Sequence, residues 1–306
     1  MNKLAKEKQI QIIAAMVEGM GINAISRLVG VSNHTVLKLL ADAGKACAMY
    51  QDGAFQNLTC TRIECDEIWS FVGAKNKNAS PEQKADLNYG DVWTWVAMDA
   101  NTKLVPCWNV GKRDGAAAYE FMMDLASRLK NKVQLTTDGH HAYLEAVEDA
   151  FGGDIDYAML IKIYGKAQEE IRYSPAECVG TEIKVISGNP QKGLISTSYI
   201  ERQNLTMRMS MRRFTRLTNG FSKKLENHIA AISIHYMFYN FCRIHKTLKC
   251  TPAMAADVTK TLWSISDMLN AINQFMPKPP SKRGSYKKKE RGCLKRQSLF
   301  VFMDEF

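Results

Sequence analysis

"IECDEIWSFVGAK", from Ile63 to Lys75, places three acids inside a stretch of large apolar residues. Its Ile, Trp, Phe and Val residues have the composition of a buried β-strand, which we predict over residues 62–72. An unpaired carboxylate in a protein interior costs several kcal/mol even after its surroundings relax. The stretch therefore predicts a central strand in which a functional partner compensates at least one buried acid.

Further strands and helices follow this stretch in the sequence. Antiparallel neighbouring strands come first, and strands separated by helices come later, an order that predicts an α/β fold with one mixed sheet flanked by helices on both faces. The predicted elements are strands over residues 92–98, 104–110, 132–135 and 156–163 and helices over residues 116–129 and 141–150.

The N-terminal region has a helix-turn-helix pattern, AISRLVGVSNHTVLKLL, from Ala24 to Leu40. Gly30 suits the left-handed turn after one helix, and Ser32 is a natural N-cap for the next. The helix after Ser32 would present polar side chains able to contact bases or phosphates in a major groove. The alternative is a three-helix packing module without a DNA partner. The candidate DNA-binding residues of this helix are Asn33, His34, Thr35 and Lys38.

The charge of the chain points to a polyanionic partner. The formal net charge is +10 over 306 residues, which predicts attraction to nucleic acid when the basic residues are clustered. A basic helix is predicted over residues 200–214, and no acid lies between Glu201 and Glu226. Its candidate DNA contacts are Arg202, Arg208, Arg212 and Arg213.

No apolar run in the sequence reaches the roughly 18 to 20 residues that a membrane helix needs. The first residues, MNKLAKEKQIQ, also lack the apolar region of a secretory signal. We therefore expect no membrane partner and a cytoplasmic location, associated with the nucleoid when the protein is bound to DNA.

Three acids far apart in the sequence are candidates for one active site. Asp66 lies on the first strand, Asp138 follows the fourth strand, and Glu201 begins the basic helix. Phosphodiester chemistry gains from two divalent cations about 3.5–4 Å apart, and Mg²⁺ prefers carboxylate oxygens. Each acid also has a simple structural interpretation: a solvated edge-strand acid, an Asp-Gly turn and a first-turn acid that favours the helix dipole.

Four stretches of the chain resemble a known family of enzymes. CDEIWSFVGAK, TTDGHHAY and SYIERQNLTMRMSMRRFTRLTNGFSK resemble the three catalytic blocks of DDE transposases of the insertion-sequence-one type. YNFCRIHKTLKCTPAMAA, from Tyr239 to Ala256, is similar to the closing segment of many bacterial transposases and integrases. The resemblance covers residues 60–256, and the third block is its most specific part.

The resemblance implies both a fold and an activity. It implies a ribonuclease-H-like core in which Asp66, Asp138 and Glu201 are catalytic and bind two Mg²⁺ or Mn²⁺ ions. It also places Arg208, seven residues after Glu201, at the position of a basic residue that contacts terminal DNA. The implied protein is a transposase that binds the terminal inverted repeats of a mobile element. It cleaves a strand to release a 3′-hydroxyl, which then attacks target DNA in a metal-dependent transesterification.

The partners and cofactors follow from this activity. We expect double-stranded DNA, both element ends and target, as the partner. A homo-oligomer is expected on that DNA because two ends must be brought together. No nucleotide cofactor is expected, and the sequence contains no GxxxxGK[ST] phosphate-binding run.

The resemblance also separates the neighbouring acids of the first strand. Alternation along the strand puts Asp66 on one face with Glu64 and Ile68, and Glu67 on the other with Trp69. A regular strand would therefore not direct both Asp66 and Glu67 at one metal pair. Asp66 matches the catalytic block and is the predicted ligand, whereas Glu67 is predicted to support the site or to pair with a basic neighbour.

Two alternatives remain open at this point. One is a DNA-binding regulator derived from such a fold, with no catalysis. The other is a ribonuclease-H-like nuclease or junction resolvase, which would cleave DNA without joining it, and the basic helix does not distinguish this enzyme from a transposase.

The predicted domain organisation is a helix-turn-helix domain over 1–48, a linker over 49–60, the catalytic core over 61–256, a C-terminal helix over 257–276 and a basic, disordered tail over 277–306.

Overall fold

The described strands lie between residues 62 and 187, and helices precede, separate and follow them. The computed structural model describes residues 4–85, 88–165, 178–215 and 219–277. The strands are β1 (Arg62–Val72), β2 (Gly90–Asp99), β3 (Trp108–Gly111), β4 (Gln134–Thr137), β5 (Asp156–Tyr164) and β6 (Cys178–Ser187). The helices are α1 (Lys6–Val17), α2 (Ile22–Val29), α3 (Asn33–Ala54), α4 (Pro81–Ala85), α5 (Gly115–Arg128), α6 (Ala142–Phe151), α7 (Ser198–Ser210), α8 (Leu225–Phe241), α9 (Pro252–Ala255) and α10 (Ile265–Ile272).

The six strands form one mixed sheet in the order β3-β2-β1-β4-β5-β6. β1 pairs antiparallel with β2, and β2 pairs antiparallel with β3. β4 lies parallel to β1 and β5 lies parallel to β4, whereas β6 returns antiparallel to β5 and forms an edge. This arrangement confirms the predicted α/β fold, a ribonuclease-H-like mixed sheet flanked by helices.

Helices cover both faces of the sheet and divide its apolar side chains into two cores. On one face Trp95 packs against Phe121 of α5 and Tyr143 of α6, with ring centroids 6.1 and 5.4 Å apart. On the other face Ile68 lies in a second core together with residues of α7 and α8, among them Tyr236. α7, which carries the third predicted acid, is therefore fixed against the central strand.

The N-terminal helices begin and end at the predicted signals. α2 ends at Gly30, whose φ of 66° is left-handed, and the Ser32 hydroxyl caps α3 by accepting a hydrogen bond from the Thr35 N–H at 3.2 Å. α3 then continues to Ala54, into the segment 49–60 predicted as a linker, because its apolar face packs along α8. The domain limits themselves stay predictions.

β3 and β6 differ from the sequence expectation. β3 begins at Trp108 instead of residue 104, because Pro106 lacks the N–H that a strand ladder requires. β6 was not predicted, because its side chains are exposed on both faces and give no alternating apolar pattern.

The C-terminal segment contains a shorter helix than the predicted range 257–276. α10 begins after Ser264, which forms a reciprocal capping box with Asp267. Residues 278–306 of the predicted basic tail lie outside the described residues. Among the described helices, none combines the length and apolar composition needed to cross a membrane.

Gly44 marks a close approach of α3 to α8. A Cβ at this position would lie 2.4 Å from the Ala230 Cβ and 2.5 Å from its Cα. We expect Gly44→Ala to lower the free energy of unfolding by about 1–3 kcal/mol, because the two helix backbones must separate. Urea unfolding followed by circular dichroism measures this change.

Gly53→Ala is the matched control on the same helix. A Cβ there meets no atom within 4 Å. Alanine is favoured over glycine in a helix by about 0.5–1 kcal/mol, so this variant is expected to be as stable as the parent or slightly more stable. A Gly44→Ala protein with parental stability would contradict the close approach of the two helices.

Candidate active site

Three carboxylates converge where β1 and β4 lie side by side. One oxygen from each of Asp66, Glu67 and Asp138 lies within 4.8 Å of the other two. Asp66 and Glu67 belong to β1, and Asp138 directly follows β4. Since β1 and β4 are parallel and Glu64 aligns with Thr136, the register brings Asp138 beside Asp66. The pairing of two strands distant in sequence thus assembles the acid cluster.

Asp66 is held by two hydrogen bonds. Its Oδ1 accepts from the Glu67 N–H at 2.8 Å, and its Oδ2 accepts from Nδ2 of Asn204 on α7 at 2.8 Å. Burial, and then the charge of Asp138, raise the pKa of Asp66 to about 6. The fold orients this carboxylate while making its negative charge unfavourable.

Glu67 is paired with Arg113. Its side chain is 1% exposed, and Oε2 accepts a hydrogen bond from the Arg113 Nε at 2.9 Å. Burial, and then the charge of Asp138, raise the pKa of Glu67 to about 7 although Arg113 opposes the shift. Nη2 of Arg113 also lies 3.5 Å from Oδ2 of Asp138, so one guanidinium lies close to two acids of the cluster.

Asp138 combines a turn role with a place in the cluster. Its Oδ1 accepts a hydrogen bond from the His140 N–H at 2.9 Å, which is a common way for Asp to stabilise a turn. Its side chain is 35% exposed. The turn interpretation of Asp138-Gly139 and a role in the site are therefore compatible.

Glu201 lies in the first turn of α7, outside the group of oxygens within 4.8 Å of one another in the described residues. Its Oε1 accepts hydrogen bonds from Nζ of Lys162 on β5 and from Oγ1 of Thr197, the latter at 2.5 Å. After burial and Asp138, the charge of Glu201 adds to the raised pKa of Asp66. Glu201 is thus electrostatically coupled to the cluster while its carboxylate is held by Lys162.

Glu64, unlike the two other acids of β1, contacts the backbone at the start of α7. Its side chain is fully buried, and Oε2 accepts hydrogen bonds from the N–H groups of Tyr199 and Ile200 at 2.9 and 3.0 Å. These groups belong to the first turn of α7, where the helix dipole favours a negative charge. Burial nevertheless raises the pKa of Glu64. Glu64 ties the central strand to the helix that carries Glu201.

The expectation that neighbouring acids of a regular strand do not reach one site needs correction. Asp66 and Glu67 start on opposite faces, yet their carboxylate oxygens both lie in the cluster with Asp138. Alternation fixes the directions of the Cα–Cβ bonds, whereas the carboxylates lie one or two bonds further out and can turn toward the end of β4. The pairing of Glu67 with a basic neighbour, Arg113, agrees with the sequence expectation.

The predicted DNA contacts of α3 lie on its exposed or half-exposed first turns. Asn33 donates a hydrogen bond from Nδ2 to Oδ1 of Asn23 at 2.8 Å, which links the start of α3 to α2. Lys38 forms an ion pair with Asp42 at 2.7 Å, one turn further along the helix. The four predicted residues on this surface are Asn33, His34, Thr35 and Lys38.

The four predicted arginine contacts have different surroundings. Arg202 and Arg212 are exposed, and Arg208 is half-buried. Arg213 donates hydrogen bonds from Nη1 to the Ser222 hydroxyl at 2.9 Å and to a backbone carbonyl at 2.8 Å. Burial lowers the pKa of Arg213 to about 10. Arg213 therefore stabilises the segment that precedes α8, and its predicted contact with DNA stays a prediction.

The chemistry of the donor set fits a hard divalent cation. Mg²⁺ and Mn²⁺ prefer oxygen ligands, and the cluster offers oxygens from three carboxylates. The raised pKa values of Asp66 and Glu67 reflect burial and the crowding of like charges, which a bound cation would relieve. The cluster can therefore hold such an ion, and its assignment as the catalytic set with Glu201 stays a prediction.

Three polar residues of the site did not emerge from the sequence. Asn204 had a usable signal, because it lies three residues after Glu201 and so shares a helix face with it. Lys162 and Arg113 gave no comparable signal, because their partners are 39 and 46 residues away in the chain. Their roles depend on strand order, which fixes which side chains meet.

Comparisons with known proteins found transposases among solved structures. No protein-family profile and no curated protein matches the chain. The chain is similar to piggyBac transposase in a synaptic complex with hairpin DNA (9% identity, TM-score 0.41, covering 90% of this chain and 73% of that one). It is also similar to Mos1 transposase in a paired-end complex with the left transposon end (14% identity, TM-score 0.20). That similarity covers 49% of this chain and 58% of the Mos1 chain. For a Mos1 mariner paired-end complex with Mn the values are 11% identity, TM-score 0.27, and 77% and 76% coverage.

Proposed function

We propose that the protein is a DNA transposase. It binds the terminal inverted repeats of a mobile element and catalyses divalent-metal-dependent strand cleavage and strand transfer. The observation that carries this proposal is the convergence of carboxylate oxygens from Asp66, Glu67 and Asp138 within 4.8 Å, in a chain of net charge +10. An acidic cluster that can hold a metal ion, in a protein that attracts a polyanion, suits phosphodiester chemistry.

The residues proposed to hold the metal ions are Asp66 and Asp138, together with Glu201 from α7. Bound Mg²⁺ or Mn²⁺ would activate the attacking oxygen and stabilise charge on the leaving oxygen. Asn204 orients the Asp66 carboxylate through its hydrogen bond to Oδ2. Lys162 holds Glu201 on the helix that covers Asp66.

Arg113 is proposed to balance the charge of the cluster. Its guanidinium donates to Glu67 and lies 3.5 Å from Asp138, which offsets part of the repulsion between the acids. A fixed positive charge at this place also favours the approach of a DNA phosphate. Glu67, in turn, fixes the position of this guanidinium beside the proposed ligands.

The DNA contacts are proposed at two surfaces. The exposed start of α3, from Asn33 to Lys38, suits the reading of element ends in a major groove. On α7, Arg202 and Arg208 follow Glu201 and suit contacts to the phosphate backbone near the cleaved bond. We propose that the protein acts as a homo-oligomer on double-stranded DNA, because two element ends must react together.

An in vitro strand-transfer assay tests this proposal. The substrate is labelled DNA that flanks the gene, incubated with the protein, Mg²⁺ and a target plasmid. We expect release of a 3′-hydroxyl end followed by a joined product, with both products absent in EDTA. Glu201→Gln is expected to lose both products while it retains the parental affinity for the ends in a mobility-shift assay.

Two other outcomes would contradict the proposal. Metal-dependent hydrolysis without any joined product would indicate a nuclease or junction resolvase. Specific binding of the ends without metal-dependent cleavage would indicate a DNA-binding regulator. Arg113→Lys, which keeps a positive charge beside Glu67, serves as a variant expected to retain the joined product at a reduced rate.

A further inference from the structure

β6 forms an edge of the sheet and carries an unusual amount of exposed apolar surface. Among the described residues it pairs with β5 on one side, and nothing pairs with its other side. Edge strands with exposed apolar side chains are templates for pairing with another chain, and proteins usually protect them. The large apolar residues exposed on β6 are Val179 (65%), Ile183 (45%), Val185 (45%) and Ile186 (36%).

We propose that β6 pairs antiparallel with β6 of a second copy of this chain, about a two-fold axis at Ile183. The pairing joins two six-stranded sheets into one continuous sheet across the dimer. The contact is isologous, since the same strand contributes from both copies. This interface goes beyond the proposed function and does not depend on it.

The charges of β6 select one register for this pairing. A two-fold axis perpendicular to the sheet places directly opposite residues on the same face of the sheet. Because side chains alternate between the two faces along a strand, the numbers of two opposite residues must be both odd or both even. An axis at Glu182 would place Glu182 opposite itself, and an axis at Lys184 would place Lys184 opposite itself. Like charges directly opposite each other destabilise a strand pair, and unlike charges stabilise it. Only the axis at Ile183, among these three neighbouring registers, places each Glu182 opposite a Lys184.

The same register pairs the apolar side chains. Ile183 lies opposite Ile183 of the second copy. On the same face, Thr181 of each copy lies opposite Val185 of the other, once on each side of the two-fold axis. β-branched pairs of this kind are favourable across antiparallel strands. Ile183, Val185 and the two charges of β6 thus agree on one partner, a second copy of this strand, and on one alignment.

Charge reversal tests the register on DNA-free protein. Sedimentation velocity of the full chain in low salt is expected to give a dimer. Glu182→Lys places Lys opposite Lys twice and is expected to weaken dimerisation about tenfold or more. Lys184→Glu is expected to weaken it similarly, and the double variant Glu182→Lys/Lys184→Glu is expected to restore the dimer. Glu120→Lys, an exposed reversal on α5, is the matched control and is expected to leave the dimer unchanged.

Disulfide formation tests the two-fold axis independently. In a Cys178→Ser background, Ile183→Cys is expected to form an intermolecular disulfide under mild oxidation, because opposite Cα atoms in antiparallel strands lie about 4.5–5.5 Å apart. Thr181→Cys in the same background is the control, since the two copies of residue 181 would lie roughly 13 Å apart along the strands.

The outcomes are distinguishable from those of the catalytic proposal, because neither measurement uses DNA, metal or activity. A monomer under all conditions would overturn the β6 pairing. A dimer that resists both single reversals, or one that is not restored by the double variant, would also overturn it. Cross-linking through residue 181 in preference to residue 183 would exclude the proposed register.

Discussion

Asp66→Asn is expected to lower the rate of metal-dependent strand cleavage at least about 10³-fold, whereas Glu67→Gln lowers it only about tenfold. A catalytic metal supplies several kcal/mol of transition-state stabilisation, and each 1.36 kcal/mol corresponds to a factor of ten. Replacement of Asp66 removes a proposed ligand. Glu67 already has a counter-charge in Arg113, and loss of a supporting partner of a metal site typically costs about 10–100-fold.

The same substitution is expected to stabilise the metal-free protein. The raised pKa of Asp66, about 6, means that its ionised form is less favourable in the folded chain than in the unfolded chain. This penalty is absent below the ordinary pKa near 4, develops between about pH 4 and pH 6, and is complete above pH 6. Asp66→Asn should therefore raise the free energy of unfolding by about 1–2 kcal/mol at pH 8 in EDTA, and by about a third as much at pH 4.5.

Two measurements check this pair of expectations. Single-turnover cleavage of a labelled element end at saturating Mg²⁺ gives the rates of the parent, Asp66→Asn and Glu67→Gln. Urea unfolding at both pH values gives the stabilities. A larger loss of activity from Glu67→Gln would mean that the acid engaged by Arg113 is the principal ligand, and equal losses would mean that both acids contribute equally. A loss of stability in Asp66→Asn at pH 8 would contradict the repulsion inferred for the cluster.

The fold was largely predictable because local pattern and burial agree along most of the chain. β1 has the bounds predicted from its apolar and β-branched residues, 62–72, since the central strand of a covered sheet is apolar on both faces. The Gly30 turn and the Ser32 cap are local signals that the structure contains. β6 lacked such a signal, because exposed side chains on both faces leave no periodicity to detect.

The candidate site was only partly predictable. The approach of Asp138 to Asp66 follows from placing both acids on neighbouring parallel strands, which the order of elements suggests. The place of Glu67 in the cluster depends on side-chain torsions, and alternation does not determine those. The contact of Glu64 with Tyr199 joins residues 135 apart in the sequence, and only the packing of α7 on β1 creates it.

The three acids of the opening stretch consequently have separate physical roles. Glu64 binds the start of α7, Asp66 accepts a hydrogen bond from Asn204, and Glu67 pairs with Arg113. The carboxylates of Asp66 and Glu67 both lie in the acid cluster. These contacts offset only part of the cost of placing acids in an apolar strand, because burial still raises the pKa of all three. Among these three acids, loss of the hydrogen bonds that Glu64 accepts from α7 is expected to lower the free energy of unfolding most.

Glu64→Ala is expected to lower the free energy of unfolding by about 3 kcal/mol and to reduce cleavage activity with it. The substitution leaves the N–H groups of Tyr199 and Ile200 without their acceptor, and a buried unsatisfied donor costs about 1–3 kcal/mol. It also removes negative charge from the start of α7 and opens a cavity beside β1. Since α7 carries Glu201, a shift of its first turn would displace a proposed metal ligand.

Glu64→Gln separates the hydrogen bonds from the charge. Gln keeps a side-chain oxygen that can accept from both N–H groups, and it avoids the buried charge that raises the pKa of Glu64. A raised pKa means that the parent loses stability as the pH rises above the ordinary value of the group, so the Gln variant should hold its stability better between pH 5 and 8. Urea unfolding of the parent and both variants, with cleavage rates measured on the same preparations, tests this. If Glu64→Ala and Glu64→Gln were equally stable, the carboxylate would act on α7 through its charge alone, and the hydrogen bonds would not hold the helix in place.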